Sequence, residues 1–298
     1  MRILVTGGTG FIGSNIVREL IQRGDDIIIT GSDAEQKIAG FSGTYLQPGF
    51  GGIDWEALGD LDAVFHEAAI NDTQSKDARG IMRANVESSL ALFEYVAAHG
   101  CKRIVYASST AVYGDGPTPY TEGQQLRPLT PYAESKKALE ERAAVFAAAH
   151  PGILMVGLRY CNVYGPGESH KGARASMIYQ IAQQMNQGNP RLFRSGEQKR
   201  DYIYVADVVR ANVLALEAKE SVVVNCGSGA ATSFNDVVQI LNTVLGMERT
   251  PDYFENPIAS TYQDHTECDM TLAKEKLGFV PHYTVRSGIA EYMKSGAL

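Results

Sequence analysis

The sequence predicts an α/β protein in which a doubly wound parallel sheet is joined by a smaller, interleaved α/β lobe. Three observations lead to this prediction. Short runs of branched apolar residues alternate with amphipathic helical patterns as far as Tyr160, which is typical of parallel strands covered by helices on both faces. A glycine-rich turn directly follows the first run. Beyond Tyr160 the alternation gives way to Gly/Pro-rich loops and shorter helices.

The elements of the main sheet follow in order from this alternation. The predicted strands are Arg2–Thr6, Asp26–Thr30, a weaker run from Thr44, Asp62–Ala68, Lys102–Ser108 and Ile153–Tyr160. The predicted helices between them are Phe11–Arg23, Ser75–His99 and Pro131–Ala149. A sheet built in this way binds its ligands at the carboxyl ends of the strands.

The later segments define the second lobe. Helices are predicted at Ala173–Asn186, Asp207–Glu217 and Phe234–Leu245. The apolar run Val222–Cys226 is expected to return to the main sheet. We therefore expect residues 1–163 to form the main domain with 200–228 returning to it, and residues 164–199 and 229–298 to form the smaller lobe.

Composition excludes several classes of protein. The chain has 298 residues, 44% of them hydrophobic and 20% charged, which is ordinary globular composition and enough for a sizeable core. Its formal net charge of −7 argues against a nucleic-acid partner, because a polyanion would be repelled on average. No window holds the roughly 18 consecutive apolar residues of a membrane span, and the first apolar run is too short for a signal peptide. We expect a cytoplasmic protein.

The cysteines carry no recognisable metal or disulfide pattern. Cys101, Cys161, Cys226 and Cys268 lie far apart, with no C-x-x-C spacing. This predicts neither a metal site nor a disulfide framework. They are interpreted as buried thiols in a reducing compartment.

The stretch VTGGTGFIG follows the first predicted strand and begins the first helix. Its glycines allow a tight turn and a close approach of the backbone to a pyrophosphate, and the helix N-terminus supplies unpaired N–H groups. Strand, turn and helix in this order are typical of the dinucleotide-binding Rossmann fold. The turn residues expected to contact the cofactor are Gly7, Gly10, Phe11, Ile12 and Gly13.

The end of the second predicted strand bears on the choice between NAD and NADP. NAD-binding folds usually place an acidic residue there to hold the ribose 2′-hydroxyl, but this chain has Gly31 and Ser32. Lys37 follows within reach of a 2′-phosphate. Ser32 and Lys37 therefore favour NADP, while Asp33 keeps NAD open as the alternative.

A serine, a tyrosine and a lysine form the predicted catalytic group. Ser109 lies at the carboxyl end of the fifth strand, and Tyr132 and Lys136 are four residues apart on one helix face. Thr130 and Pro131 suit the N-cap and first position of that helix. A phenol has a pKa near ~10, and a neighbouring ammonium and an oxidised nicotinamide are expected to lower the pKa of Tyr132 toward the working range. Ser109 would hold the substrate hydroxyl while hydride leaves its carbon.

These residues resemble the extended short-chain dehydrogenase/reductase superfamily of nucleotide-sugar epimerases and dehydratases. The resemblance spans the chain and includes TGGTGFIGS, VFHEAA, YASSTAVYG, PYAESK, RYCNVYGPG and RDYIYVADVV. Its dehydratases typically carry an Asp–Glu pair beside the catalytic hydroxyl, whereas Ala111 and Val112 follow Thr110 here, which disfavours dehydration. Within the superfamily, the chain is most similar to the ADP-L-glycero-D-manno-heptose 6-epimerase family, through the stretches GPGESHKGARAS, LFRSGEQKRDYIYV and TYQDHT.

This resemblance implies a second acid/base group, Lys171. In that family a tyrosine and a loop lysine transfer the protons, and they correspond here to Tyr132 and Lys171. Returning hydride to the same face of a ketone regenerates the starting alcohol. Inversion requires the ketone to present its other face, and its oxygen then lies elsewhere relative to Tyr132. A mobile loop could bring Lys171 to that oxygen, and desolvation on closure would lower its pKa.

The resemblance also implies contacts to the cofactor and to a nucleotide-diphosphate sugar. Cofactor contacts carry over to Glu67, Ala68, Ala69, Asn85 and Val163, in addition to Tyr132 and Lys136. Substrate contacts carry over to Asn162, Phe193, Arg194, Ser195, Arg200 and Tyr262, with the Arg200 fork on the diphosphate. Ala173 and Gln180 are expected at the sugar, where the family often has a serine and a histidine. These departures leave the sugar open.

Four functional hypotheses follow. The leading one is an NADP-dependent ADP-glycero-manno-heptose 6-epimerase that oxidises its substrate transiently to a ketone, and the resemblance implies self-association into a homo-oligomer. A close alternative is a UDP-hexose 4-epimerase that uses NAD and Tyr132 alone, with another nucleotide-sugar dehydratase or reductase further away. A non-catalytic dinucleotide sensor is disfavoured, because such proteins generally lose the Tyr–Lys pair.

Overall fold

A computed structural model describes residues 1–32, 38–46, 58–255 and 264–298. Within these ranges, seven parallel strands form the large sheet, in the order β3-β2-β1-β4-β5-β6-β10. They are β1 Arg2–Thr6, β2 Asp26–Thr30, β3 Thr44–Leu46, β4 Ala63–His66, β5 Arg103–Ser109, β6 Leu154–Tyr160 and β10 Val222–Cys226. The predicted fold class is confirmed. The strand order reverses between β1 and β4, which is the switch point where doubly wound sheets bind ligands.

Helices cover both faces of this sheet. The described helices are α1 Phe11–Arg23, α2 Ala78–Met82, α3 Ser88–Ala98, α4 Pro131–Ala149, α5 Met177–Gln187, α6 Val205–Ala215, α7 Phe234–Leu245, α8 Thr271–Leu277 and α9 Val285–Lys294. Along β1, Ile3 and Val5 pack with α1, α6 and α8, while Leu4 between them packs on the opposite face with α3 and α4. Because successive strand residues point to opposite faces, both faces need apolar residues. This explains why the strands are almost continuously apolar.

The later segments form a third apolar core. A three-stranded sheet contains β7 Asn162–Tyr164, β9 Lys199–Tyr204 and β11 Ala231–Ser233, and a two-stranded sheet pairs β8 Arg191–Phe193 with β12 Asp252–Phe254. Helices α5, α7 and α9 pack with them, and Phe11 of α1 joins this core. Of the segment 200–228, which was expected to return to the large sheet, β10 therefore lies in that sheet and β9 lies in the three-stranded sheet. The division into domains at the expected boundaries stays a prediction.

The predicted helix Ser75–His99 is interrupted in the structure. It begins later, at α2, because the Asp77 side chain accepts a hydrogen bond from the Gly80 N–H (2.9 Å) and caps the helix. A π-helical turn, Arg83–Glu87, then separates α2 from α3. Such turns often occur at functional sites, and this one contains Asn85.

The predicted helix Ala173–Asn186 also begins later than expected. Gly172 has a φ of 55° and a non-helical conformation, so it kinks the short 3₁₀ segment Ser169–Arg174. The Ser176 hydroxyl accepts from the Tyr179 N–H (3.1 Å) and caps α5. The residues between β7 and α5 therefore form a structured loop. We refer to Gly165–Ser176 as the Lys171 loop.

Two further features concern cysteines and membranes. The structure pairs Cys161 with Cys268 as a disulfide, so the expectation of four thiols is wrong for these two. Their separation of 107 positions gives no pattern that the sequence analysis could use. Cys101 and Cys226 are buried free thiols. In the ranges described, no helix combines the length and apolar character required to cross a bilayer.

Candidate active site

A cleft with a volume of about 650 Å³ opens at the switch point of the large sheet. It is bordered by the turn after β1, the ends of β2, β4 and β5, the first turns of α4 and the Lys171 loop. The predicted site residues that line it are Gly7, Gly10, Phe11, Ile12, Gly13, Ser32, Glu67, Ala68, Ala69, Tyr132, Lys136 and Lys171. Residues from widely separated parts of the chain therefore meet around one cavity.

The glycine turn leaves room and N–H groups for an anion. Gly7 has a φ of 65°, and a Cβ on Gly13 would lie 2.2 Å from the Gly7 carbonyl oxygen, so larger residues do not fit. Gly10 is the N-cap of α1 and has no side chain to cap it. The first turn of α1, starting at Phe11, contains no acidic residue. This end of the helix suits the diphosphate of a dinucleotide.

The end of β2 excludes an acidic side chain at one position. A Cβ on Gly31 would lie 2.0 Å from the Thr9 hydroxyl oxygen. Ser32 follows and lines the cleft. Packing against Thr9 therefore excludes a carboxylate at residue 31. Lys37, with Asp33, lies outside the described residues.

The predicted catalytic group meets at the start of α4. Thr130 caps this helix and Pro131 begins it, as predicted. Lys136 is 2% exposed, and its ammonium donates to the Ala107 carbonyl (2.8 Å). The ammonium lies 5.9 Å from the centroid of the Tyr132 ring.

The Ser109 hydroxyl accepts from the Ala111 N–H (3.1 Å) and lies close enough to Tyr132 to lower the pKa of that phenol. The two hydroxyl groups therefore meet at the carboxyl end of β5. Among the described residues, Tyr132 lines the cleft and Ser109 does not. A serine hydroxyl beside a phenol can hold a carbinol and take up its proton.

Burial dominates the titration of this group. It lowers the pKa of Lys136 to about 8, against the opposing effect of the Glu67 and Glu140 carboxylates. It raises the pKa of Tyr132, with Ser109 lowering it and Glu67 raising it further. The expected lowering of the Tyr132 pKa is therefore not produced by the protein groups alone. Of the two effects expected to lower the Tyr132 pKa, the positive charge of an oxidised nicotinamide is the one that remains.

A carboxyl that the sequence analysis treated only as a cofactor neighbour faces this group. Glu67 Oε1 accepts from the Tyr160 hydroxyl (2.8 Å), which accepts from Asn212 Nδ2 (2.8 Å). Burial raises the pKa of Glu67 to about 7, against the hydrogen bond from Tyr160 and the charge of Lys136. Tyr160 and Asn212 were missed. The position of Tyr160 at the carboxyl end of β6 was the available signal.

A hydrogen-bonded chain fixes His66 behind the cleft. The Ser89 hydroxyl donates to the Asn85 carbonyl (2.8 Å) and so accepts from His66 Nε2 (2.8 Å). Thr6 Oγ1 then donates to His66 Nδ1 (2.7 Å). Burial lowers the pKa of His66 to about 3, so this ring is neutral near pH 7 and serves to connect β1, β4 and α3.

Asn85 supports the wall of the cleft. Its side chain is 1% exposed, accepts from the Ile70 N–H (2.8 Å) and donates to the Ser135 hydroxyl (3.0 Å). The Ser135 hydroxyl donates to the Tyr132 carbonyl (2.7 Å). Asn85 thus connects the π-helical turn to α4, and its predicted contact with the cofactor stays a prediction.

The Lys171 loop lies against the N-terminus of α1. Asn15 Nδ2 donates to the Pro166 carbonyl (2.9 Å), and Lys171 Nζ lies 5.2 Å from the centroid of the Phe11 ring. Lys171 is half-buried, and this partial burial lowers its pKa, as does neighbouring Arg174, while Glu168 raises it. The sequence analysis predicted neither the contribution of Arg174 nor that of Glu168.

Other predicted contacts lie on the later strands. Asn162 Nδ2 donates to Thr266 Oγ1 (3.2 Å), and Val163 follows in β7. Arg200 is 8% exposed, with its guanidinium 5.7 Å from the centroid of the Phe234 ring. Within the described ranges these residues do not line the cleft, and their ligand contacts stay predictions.

The remaining substrate candidates surround β8 and the base of α5. The Phe193 and Phe254 rings are 5.0 Å apart, Arg194 forms an exposed ion pair with Glu255 (3.3 Å), and the Ser195 carbonyl accepts from Asn235 (3.0 Å). Gln180 Nε2 donates to the Ala173 carbonyl (3.2 Å). Tyr262 lies outside the described residues.

Comparisons with known proteins agree with this geometry. The NAD dependent epimerase/dehydratase family matches residues 3–227. The ADP-L-glycero-D-manno-heptose-6-epimerase of Alkalilimnicola ehrlichii is 35% identical, over 99% of this chain and 97% of the relative. The Helicobacter pylori protein of that name is 32% identical, with a TM-score of 0.90 over 99% of this chain and 95% of its own. The Thermotoga maritima UDP-glucose 4-epimerase, solved with UDP-glucose, is 31% identical, with a TM-score of 0.89 over 99% of both chains.

Proposed function

This chain belongs to the NAD dependent epimerase/dehydratase family, and from that premise we propose that it is a nucleotide-sugar epimerase. It oxidises one carbinol of a nucleotide-diphosphate sugar to a ketone and returns the hydride to the opposite face. The observation that carries the proposal is the convergence of Tyr132, Lys136 and Lys171 on one cleft beside a dinucleotide-binding turn. A bound nicotinamide dinucleotide supplies the acceptor and donor of the hydride.

The residues of α4 and β5 serve the first half of the reaction. The Ser109 hydroxyl holds the substrate hydroxyl, and Tyr132 takes up its proton. Lys136 stabilises the phenolate with its buried ammonium, whose position is fixed by the Ala107 carbonyl. The uncapped N-terminus of α1 holds the diphosphate of the dinucleotide.

Lys171 serves the second half. Once the ketone presents its other face, its oxygen lies away from Tyr132 and needs another proton donor. Lys171 borders the same cleft as Tyr132 and lies on a loop. Partial burial already lowers the pKa of Lys171, which makes it a better acid than an exposed lysine.

The leading substrate is ADP-glycero-manno-heptose, with inversion at C6. It is supported by the Alkalilimnicola ehrlichii and Helicobacter pylori relatives, whose names specify that activity, and by the motif around Lys171. A UDP-hexose 4-epimerase is the second candidate, supported by the similar overall structure of the Thermotoga maritima protein. We also propose a cytoplasmic homo-oligomer.

The cofactor is a nicotinamide dinucleotide, and the family name specifies NAD. NADP is the finer proposal, supported by Gly31, Ser32 and Lys37 in the sequence and by the packing that excludes a carboxylate at residue 31. Mass spectrometry of the compounds that co-purify with the protein distinguishes NAD from NADP and ADP from UDP. Recovery of NAD alone would rule out NADP as the resident cofactor.

The test of the reaction is conversion of purified ADP-heptose and UDP-glucose by the wild-type protein and by Lys171→Met. We expect the wild type to invert ADP-heptose at C6 and to leave UDP-glucose unchanged. Lys171→Met should lose about 100-fold or more in epimerisation, as for other general acids, while dinucleotide stays bound. Epimerisation at the wild-type rate by Lys171→Met would remove Lys171 from the mechanism, and turnover of UDP-glucose alone would favour the second candidate.

A further inference from the structure

We infer that Glu168 is a positioning residue that holds the Lys171 loop over the cleft and so sets the second proton transfer. The inference rests on the proposed function, because it gives Glu168 a role through Lys171. Glu168 lies three residues before Lys171 and belongs to none of the predicted site residues. It points away from solvent, with 0% exposure.

The Glu168 carboxylate joins the two ends of the loop. Its Oε1 accepts from the Gly165 N–H (3.0 Å) and from the Ser176 hydroxyl (3.0 Å), and its Oε2 accepts from the Ser176 N–H (2.5 Å). Hydrogen bonds to a carboxylate are stronger than those between neutral groups. One side chain therefore holds the base of the loop closed.

The same residue also fixes the turn that carries the lysine. The Lys171 N–H donates to the Glu168 backbone carbonyl (2.9 Å). No residue of Ser169–Arg174 is buried, so this segment is not held by apolar packing. Its conformation depends instead on hydrogen bonds: those of Glu168, the link from Asn15 to Pro166 and the bonds that Gln180 donates to the Ala173 and Ala175 carbonyls.

The hydrogen bonds of the buried Glu168 carboxylate offset part of the burial that raises its pKa. A buried carboxylate is costly unless it is fully hydrogen-bonded or paired, and here it has three donors and the nearby ammonium of Lys171. A glutamine of the same size would turn an NH₂ group toward an N–H or O–H donor. The loop would then lose at least one of the bonds that close its base.

The decisive experiment compares Glu168→Gln with the wild type in two steps of the reaction. Formation of reduced nicotinamide after mixing with ADP-heptose reports the first hydride transfer, and release of the epimer reports the complete reaction. We expect the rate of epimer formation to fall by about 100-fold, because moving a catalytic group by about 1 Å slows a reaction by about this factor. Nicotinamide reduction should stay within about twofold of wild type, with the loss in kcat rather than KM.

Three further variants make the test specific. Glu168→Gln combined with Lys171→Met should be no slower than Lys171→Met alone, because residues acting as one unit are not additive. Glu220→Gln, which removes a carboxylate from an exposed ion pair with Lys276, should change neither step. Ser176→Ala keeps the carboxylate and should lose about fivefold in epimer formation, so it tests the inference even if Glu168→Gln does not fold.

Two outcomes would overturn the inference. One is an equal loss in both steps, or a further loss in the double variant, since either indicates a general structural role. The other is wild-type epimerisation by Glu168→Gln or, where that variant does not fold, by Ser176→Ala. If Lys171→Met is itself fully active, the proposed mechanism fails first. If Lys171→Met is inactive and Glu168→Gln is not impaired, only the role of Glu168 is lost.

Discussion

Helix α4 and the Lys171 loop bring acid/base side chains to the same cleft, but they hold them in different ways. In α4, Lys136 is buried, and one turn later Glu140 forms a buried ion pair with Arg159 of β6 (2.7 Å). The Ser108 hydroxyl also donates to Glu140. In the loop, the segment around Lys171 has no buried residue, and Glu168 closes its base.

This difference suits the two halves of the proposed reaction. The first hydride transfer needs a fixed geometry between hydroxyl, phenol and cofactor, and rigid elements supply such precision. The second proton transfer serves a ketone that has presented its other face, and a loop can adjust to it. Substitutions in α4 should therefore affect the first step and global stability, and substitutions in the loop should affect only the second step.

The largest effect is expected from Tyr132→Phe, which removes only the phenolic hydroxyl. Both nicotinamide reduction and epimer formation should fall by about 1,000-fold, because a general base is lost before the first step. Rapid mixing with ADP-heptose measures both. Tyr95→Phe in α3 is the matched control and should leave both rates unchanged. If Tyr132→Phe reduced nicotinamide at more than about a tenth of the wild-type rate, another group would accept the proton. The first step would then not depend on α4, and the contrast between α4 and the Lys171 loop would be lost.

The next effect concerns stability and sharpens the comparison. Glu140→Gln leaves the buried Arg159 guanidinium without its ion-pair partner and should lower the free energy of unfolding by about 3–5 kcal/mol. Urea unfolding measures this change. On the same helix, Glu141→Gln breaks only the partly exposed pair with Lys137 and should cost less than about 0.5 kcal/mol. Equal costs for the two variants would show that the buried pair does not anchor α4.

The sequence was informative wherever the signal is local. Strand alternation predicted the large sheet, and local caps explain why α1 and α4 have the predicted bounds: Gly24 ends α1 with a φ of 75°, and Thr130 caps α4. The spacing of Tyr132 and Lys136 was enough to place them together, because an i,i+4 pair shares a helix face wherever the helix lies.

Contacts between distant segments could not be predicted in this way. The bond between Glu67 and Tyr160 joins residues 93 positions apart, and the place of Tyr160 at the end of β6 indicates the ligand edge of the sheet but not this partner. Glu168 lies in a Gly/Pro-rich loop without periodicity, so its burial had no signal. The proposed groups of the first step were therefore predicted from the sequence and Lys171 through a family resemblance, but Glu168, which joins the ends of the Lys171 loop, was not.

The smallest predicted effect concerns pH and Glu67, which faces α4. Burial raises the pKa of Glu67 from its ordinary 4.5 to about 7, so the folded protein binds more protons than the unfolded chain between these values. The contribution of Glu67 to stability is therefore full below pH 4.5 and is lost as the pH rises through 7. Urea unfolding at several pH values measures the free energy of unfolding of the wild type and of Glu67→Gln. The difference between the two proteins should fall by roughly 1–3 kcal/mol as the pH rises over this window.

The same substitution distinguishes the helix from the loop. The Glu67 charge contributes to the pKa of Tyr132 and of Lys136, whereas the charged neighbours that shift the pKa of Lys171 are Glu168 and Arg174. Glu67→Gln should thus alter the pH dependence of nicotinamide reduction and leave that of the Lys171-dependent step in place. A constant stability difference across pH 4.5–7 would show that Glu67 titrates normally, and its burial would then not govern the charge around α4.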